Sequence, residues 1–188
     1  MLSSESSSAA AEHIIPFEIT PRTGFFSSVI LEPGMYVPSG ANTDTRPTRA
    51  FGAPHTTSNM YLKGAVRDAA RSVFTGLIRI EPEGQGSDAM QTNRNLVLSE
   101  GAQAHSVPNL EILANEVRCG HGSTVSPLDA EQRYYLMSRG LDSGRADRLQ
   151  VKGFFEDVLA RFPQAELEPP LRGAVMARYQ GPAPEEAR

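Results

Sequence analysis

Cys119-Gly-His121 sets a thiol and an imidazole two residues apart. On a β-strand that spacing puts both side chains on one face, where they could meet soft iron or zinc. The plain alternative is a buried strand cysteine beside a turn histidine. Other chemistry finds little footing. Gly84-Gln-Gly86 lacks the further glycine and following helix of a dinucleotide fingerprint, and no Gly-Lys-Ser/Thr occurs. No serine is framed as Gly-x-Ser-x-Gly, and His13, His55, His105 and His121 have no Cys or carboxylate at the helical spacing of a hydrolytic zinc site. The run Gln91-Thr-Asn-Arg-Asn95 reads as a polar turn ladder or, alternatively, a recognition surface. Val151, Phe154, Phe155, Val158 and Leu159 form an apolar stripe that is core or a partner-binding face.

The elements that must position these residues fall into three zones. Met1 to Ala11 is nearly pure Ser/Ala, too poor in apolar groups to offset ordering entropy, and is expected to be disordered. Ile14, Ile15, Phe17 and Ile19, then Phe25, Phe26, Val29, Ile30 and Leu31, could make short strands between prolines and glycines. Gly40 to Arg49 reads as a loop or linker, so residues 1–50 form an unassigned or disordered N-terminal segment.

From 51 to 127 the apolar period is two. Phe74, Ile78 and Ile80 share one parity of the strand Ser72–Ile80, and short runs follow at Asn95–Leu98, Leu110–Leu113 and Val117–Cys119. Ser99-Glu-Gly101, Pro108-Asn109 and Asn115-Glu116 supply turn chemistry between them. Such spacing suggests a sandwich, a barrel or a solenoid. From 128 to 188 the period becomes helical: Asp129 to Arg139, stopped by Gly140; Ser143 to Phe162, stopped by Pro163; and Leu171 to Gln180. The Phe154/Phe155 stripe is more often core than a partner groove, but a module this short can scarcely bury both helix faces, which keeps a partner open as the alternative.

Composition narrows the function. With 39% hydrophobic and 21% charged residues the chain is neither a polyelectrolyte nor membrane-spanning, and a net charge of -4 argues against nucleic acid as a partner. No Lys or Arg precedes Arg22, so no leader is expected, and a lone Cys119 fits a reducing compartment. A cytoplasmic location follows.

Several linked motifs go further. His55-Thr-Thr-Ser58 with Lys63-Gly64, Asp88-Ala-Met-Gln-Thr-Asn-Arg-Asn-Leu-Val-Leu-Ser99, Pro108-Asn-Leu-Glu-Ile112, Val117-Arg-Cys-Gly-His-Gly-Ser-Thr-Val125 and Tyr134-Tyr-Leu-Met-Ser-Arg-Gly140 resemble, in order, the C-terminal half of the SufB/SufD family of iron-sulfur cluster assembly proteins. The Cys-x-His-Gly segment is similar to the SufD branch, and the resemblance runs from about Ala53 to Tyr179. It implies a mainly β fold, a right-handed parallel β-helix followed by a small helical bundle.

The resemblance also implies a function. The chain would be a non-catalytic scaffold in a SufB-SufC-SufD complex, with ATP hydrolysis in SufC. SufC would dock on the C-terminal helices through Val151, Phe154, Phe155, Val158 and Leu159, and SufB on the β-helix. His121, with Cys119 the less certain participant, would hold a transient iron-sulfur cluster shared with SufB, none being stably bound by the isolated chain. The family's usual upstream region has no match here, so a truncated or divergent short form with an uncapped, self-associating first strand is expected. The rivals are a structural fragment and a small metal- or thiol-dependent enzyme using Cys119 and His121.

Overall fold

The computed structural model describes residues 18–19, 25–29, 42–161 and 168–179. It is mostly β, with three helices at the C-terminal end. The strands are β1 (Glu18–Ile19), β2 (Phe25–Val29), β3 (Asn42–Thr45), β4 (Thr48–Phe51), β5 (Thr57–Val66), β6 (Arg71–Ile80), β7 (Asp88–Val97), β8 (Gln103–Ile112) and β9 (Arg118–Ser126). They form two sheets in which every pairing is parallel, and consecutive long strands alternate between them. One sheet runs β2-β5-β7-β9; the other pairs β6 with β8 on one side and with β3 and β4 on the other. Each strand leans on the strand roughly 30 residues earlier, so Thr57 pairs with Asp88 and Asp88 with Arg118.

Inner faces of the two sheets meet. Phe51, Ile78 and Ile80 pack with Ala89 from the opposite sheet, and Met60 and Leu62 pack with Phe74. The period of two in β6 therefore marks a strand half of whose residues are core. In β5, Tyr61 to Lys63 and Ala65 to Val66 are all buried, because its outer face is also covered.

Several expectations are corrected. The span Gly40 to Arg49 holds β3 and the first half of β4, not a linker. These two strands pair with successive halves of β6, and Pro47, between them, still accepts from the Leu77 N–H at 2.9 Å. Their Asn, Thr and Asp residues carry no apolar alternation. Gln91 to Asn95 is not a turn but the middle of β7, with Gln91, Asn93 and Asn95 buried between the sheets. Pro108-Asn109 lies within β8. Gln103 and Leu113 donate toward β6, so residues of that parity face the ladder and the nitrogen of Pro108 faces the free edge, where its missing N–H breaks no bond.

The helices are α1 (Ala130–Ser138), α2 (Ser143–Leu159) and α3 (Glu168–Tyr179). The Asp129 carboxylate accepts from the N–H groups of Glu131 and Gln132 and starts α1; Gly140, at φ +94°, ends its turn. Asp142 caps α2 in the same way. The second helix stops at Leu159, short of the expected Phe162, which lies outside the described residues. The third begins before the expected Leu171, since Pro169 and Pro170 fit a first turn whose N–H groups have no partner anyway. Met1 to Phe17, Ile30, Leu31 and Gln180 also lie outside the described residues.

Candidate functional site

The helical module is fixed to the outer face of the β5-β7 sheet. Val151, Phe155 and Val158 of α2 pack against Tyr61 and Ala65 of β5 and Leu96 of β7, with Phe154 half-buried beside them in an edge-to-face contact with Phe155. Leu159 is buried too. Four of the five residues expected to be presented to a partner are thus spent inside the chain. The covering residues, Tyr61 and Ala65 about ninety positions away and Leu96 about sixty, lie on strands whose outer face looks unremarkable by itself.

Polar groups reinforce this junction. The Lys63 ammonium lies 2.7 Å from the Asp157 carboxylate, donates to the Phe154 carbonyl at 2.6 Å and stands 4.4 Å from the centre of the Phe154 ring. The Tyr61 hydroxyl donates to the same carboxylate at 2.7 Å, and the Arg161 guanidinium covers the Tyr61 ring. Hydrogen bonds from Lys63 and Tyr61 hold the Asp157 carboxyl well below the usual carboxylate range. Burial pulls the Lys63 ammonium down, against the opposing pull of Asp157.

The surface left open on the module belongs to α1 and the start of α2. Tyr134 is 76% and Tyr135 56% exposed, with Met137 and Leu149 also exposed. Tyr135 and Leu149 line an open groove of about 830 Å³ between α1, α2 and the end of β9, together with Leu128, Leu136 and Phe154.

Cys119 and His121 lie on β9, the last strand of its sheet. Cys119 pairs with Ala89 and His121 with Gln91, whose side chains are buried, so both share the inner face as the spacing predicted. Cys119 is half-buried against the inner core, and burial together with the Asp88 charge pushes its thiol up. His121 is exposed because no described strand stacks beyond β9. Gly120 faces the other way, with the Met90 side chain lying over it.

The geometry makes this end of the two sheets distinctive. Arg118 donates to the Ser87 carbonyl of the neighbouring edge, so alternation turns the N–H and C=O groups of Cys119, His121, Ser123 and Val125 away from β7. No described strand pairs with them there. The inward residues of β8, Ala104, Ser106, Pro108 and Leu110, are only half-buried, whereas Phe74, Ile78 and Ile80, their neighbours on β6, are buried. Val107, Ile112, Leu113 and Val125 add exposed apolar groups at the same end. An edge of this kind is a template for another chain. Among the described residues no three of His, Cys, Asp and Glu gather as a metal-binding group. His55 and His105 are exposed and stand apart from the pair. His55 lies over Gly86, whose φ of +72° and close approach to the ring exclude a side chain.

No helix among the described residues is long and apolar enough to cross a membrane. The family model for the SUF system FeS cluster assembly SufBD core domain matches residues 27–154. An iron-sulfur cluster assembly SufBD family protein of Synechocystis is 39% identical over 136 residues, covering 72% of this chain and 30% of its own. A Mycobacterium leprae protein of the same description is 37% identical over 151 residues, covering 76% of this chain and 38% of its own. The iron-sulfur cluster assembly protein SufD of Escherichia coli is 34% identical over 145 residues, covering 77% and 33%. The chain spans about a third of the length of these relatives.

Proposed function

The chain belongs to the SufBD core family of the SUF system for iron-sulfur cluster assembly, and from that membership we propose that it is a SufD-like scaffold subunit of a SufBCD-type complex in the cytoplasm, with no catalytic step of its own. On this reading the two parallel sheets are turns of a right-handed parallel β-helix. The nascent cluster is cargo, assembled at the open end and handed on. The observation that carries the reading is the placement of Cys119 and His121 on the inner face of a strand whose outer backbone edge is unpaired among the described residues.

SufB is the partner at that end. Iron in a cluster takes several soft or borderline ligands, and one thiol with one imidazole supply only part of a shell. A neutral imidazole holds iron and releases it, as transfer requires. The rival reading, a self-contained thiol enzyme, sits poorly with a Cys119 thiol pushed away from its thiolate by burial and by Asp88.

The test is anaerobic reconstitution of the chain co-expressed with SufB and SufC. His121→Ala should leave folding intact, because the side chain is exposed, and should lower iron and sulfide retained by the complex by at least about tenfold, the scale on which even outer-shell groups act. Cys119→Ser should be milder. Wild-type metal content in the His121→Ala complex would leave the chain an architectural subunit only.

SufC is the partner of the helical module, and the exposed Tyr134 and Tyr135 beside the α1-α2 groove suit its docking. Exposed aromatics that fill a partner's pocket are common binding anchors. Replacing both by Ala should weaken capture of SufC by about thirtyfold or more, an anchor being worth about 2 kcal/mol or above, while the urea midpoint of the chain stays put. Unchanged capture would move the contact elsewhere on the module.

A further inference from the structure

One hydrogen bond joins the two sheets through the interior: the Asn93 amide donates to the Ser106 hydroxyl oxygen at 2.8 Å. The pair contrasts with what lies beside it. Asn93 is 3% exposed and its register partner on β5 is Leu62, while Ser106 pairs with Phe74 on β6. Leu62 and Phe74 pack together as core with Met60, so an apolar pair one strand further on would have continued that core. Replacing both members of a buried hydrogen bond by apolar groups of similar shape can be neutral or stabilising. Stability alone does not call for Asn93 and Ser106.

The bond also decides what Ser106 can do. A hydroxyl offers one donor and two acceptor sites. Asn93 occupies an acceptor site and holds the side chain in place, and the hydroxyl proton has no acceptor among the described residues. Of the inward residues of β8, Ala104, Ser106, Pro108 and Leu110, only Ser106 carries a hydrogen-bonding side chain, and it is half-buried on the last strand of its sheet. Register gives its place relative to His121. Asn93 pairs with Ser123 and Gln91 with His121, so Ser106 faces a point two residues along the strand from His121, about 7 Å. An imidazole, an iron and a sulfide in sequence cover that span.

We propose that Ser106, held by Asn93, donates a hydrogen bond to a sulfide of the nascent cluster from the wall opposite His121. A donor fixed in advance needs no reorganisation when the charged ligand arrives. Hydrogen bonds to the sulfurs are also among the factors that set a cluster's reduction potential. Asn93 is the positioning residue and Ser106 the donor. The proposal rests on the reading of His121 as a cluster ligand.

The experiment uses the chain co-expressed with SufB and SufC and reconstituted anaerobically with iron and sulfide. The double variant Asn93→Leu with Ser106→Ala should keep the thermal midpoint of the chain at or above wild type, since neither partner is left unpaired. Its cluster should be lost to an iron chelator about tenfold faster, the scale of one hydrogen bond to a charged group. The reduction potential should become more negative, because the missing donor favoured the more highly charged reduced form. Asn93→Leu alone leaves the hydroxyl without its anchor and should shift both readings in the same direction by less. Wild-type loss rate and potential in the folded double variant, or in Asn93→Leu should the double variant not fold, overturn the proposal. Failure of the underlying reading shows separately, as wild-type metal content in the His121→Ala complex.

Discussion

Phe155→Ala should lower the unfolding free energy of the isolated chain by about 3–5 kcal/mol, the usual cost of emptying a buried phenylalanine site. Phe155 sits between α2 and the β5-β7 sheet with Tyr61, Ala65, Leu96, Val151 and Val158 around it. Nothing else of its size is placed to collapse into the gap, because Phe154 is already engaged edge-on from the helix side. Urea titration followed by far-ultraviolet circular dichroism gives the number, and the helical signal should be lost at lower denaturant than in the wild type. The same substitution discriminates two uses of the stripe. A residue reserved for SufC would leave the isolated chain as stable as before and abolish capture alone; that outcome would reinstate the stripe as a docking face.

Asp157→Ala should cost about 2–3 kcal/mol, and Lys63→Met much less. The asymmetry comes from where each group lies: the Lys63 side chain is 4% exposed and that of Asp157 42%. Removing the carboxylate leaves a buried ammonium with the Phe154 carbonyl and neighbouring rings but no counter-charge beside it, whereas removing the ammonium leaves a carboxylate that still has the Tyr61 hydroxyl, Arg161 and water. Fully buried pairs broken on one side lose about 3–5 kcal/mol, and solvent access to Asp157 brings the expectation down. The pH dependence has a definite sign. A carboxyl held below its ordinary value stabilises the fold fully above the unfolded value of about 3.9, and that contribution fades as pH falls below it. The wild-type urea midpoint should therefore drop between pH 5 and pH 3 by more than that of Asp157→Asn. Equal drops would detach Asp157 from the acid response.

Where side-chain type follows geometry, the sequence was legible. The spacing of Val151, Phe155 and Val158 delivered α2, Asp129 and Gly140 bounded α1, and the parity of Phe74, Ile78 and Ile80 delivered β6. The mainly β chain with helices at its C-terminal end also came through. Geometry without matching side chains stayed hidden. The inner face of β7 is built from Gln91, Asn93 and Asn95, so its alternation is between polar and polar. Asn93 is satisfied by donating to Ser106 across the gap at 2.8 Å, a partner that no local window could supply. The spacing of roughly 30 residues between paired strands was invisible for a similar reason. Met60, Gln91 and His121 occupy one stacked position and share no chemistry. The pairing of Cys119 with His121 on one face was readable because strand parity is local; Gln91 beneath it becomes visible only when β7 and β9 are laid in register.

Constant spacing between paired strands has a kinetic meaning. Each new strand closes against one already in place, so the loop to be closed stays near 30 residues however many strands precede it, and the entropic cost of closure repeats by the same increment instead of growing with chain length. Relative contact order then falls as such a chain lengthens, in contrast to sheets that join distant ends. The ordering of β9, and with it the placing of Cys119 and His121, depends only on β7 and β8 being formed. A terminal site of this construction is insulated from the number of strands on its far side, and additions there leave its assembly rate unchanged.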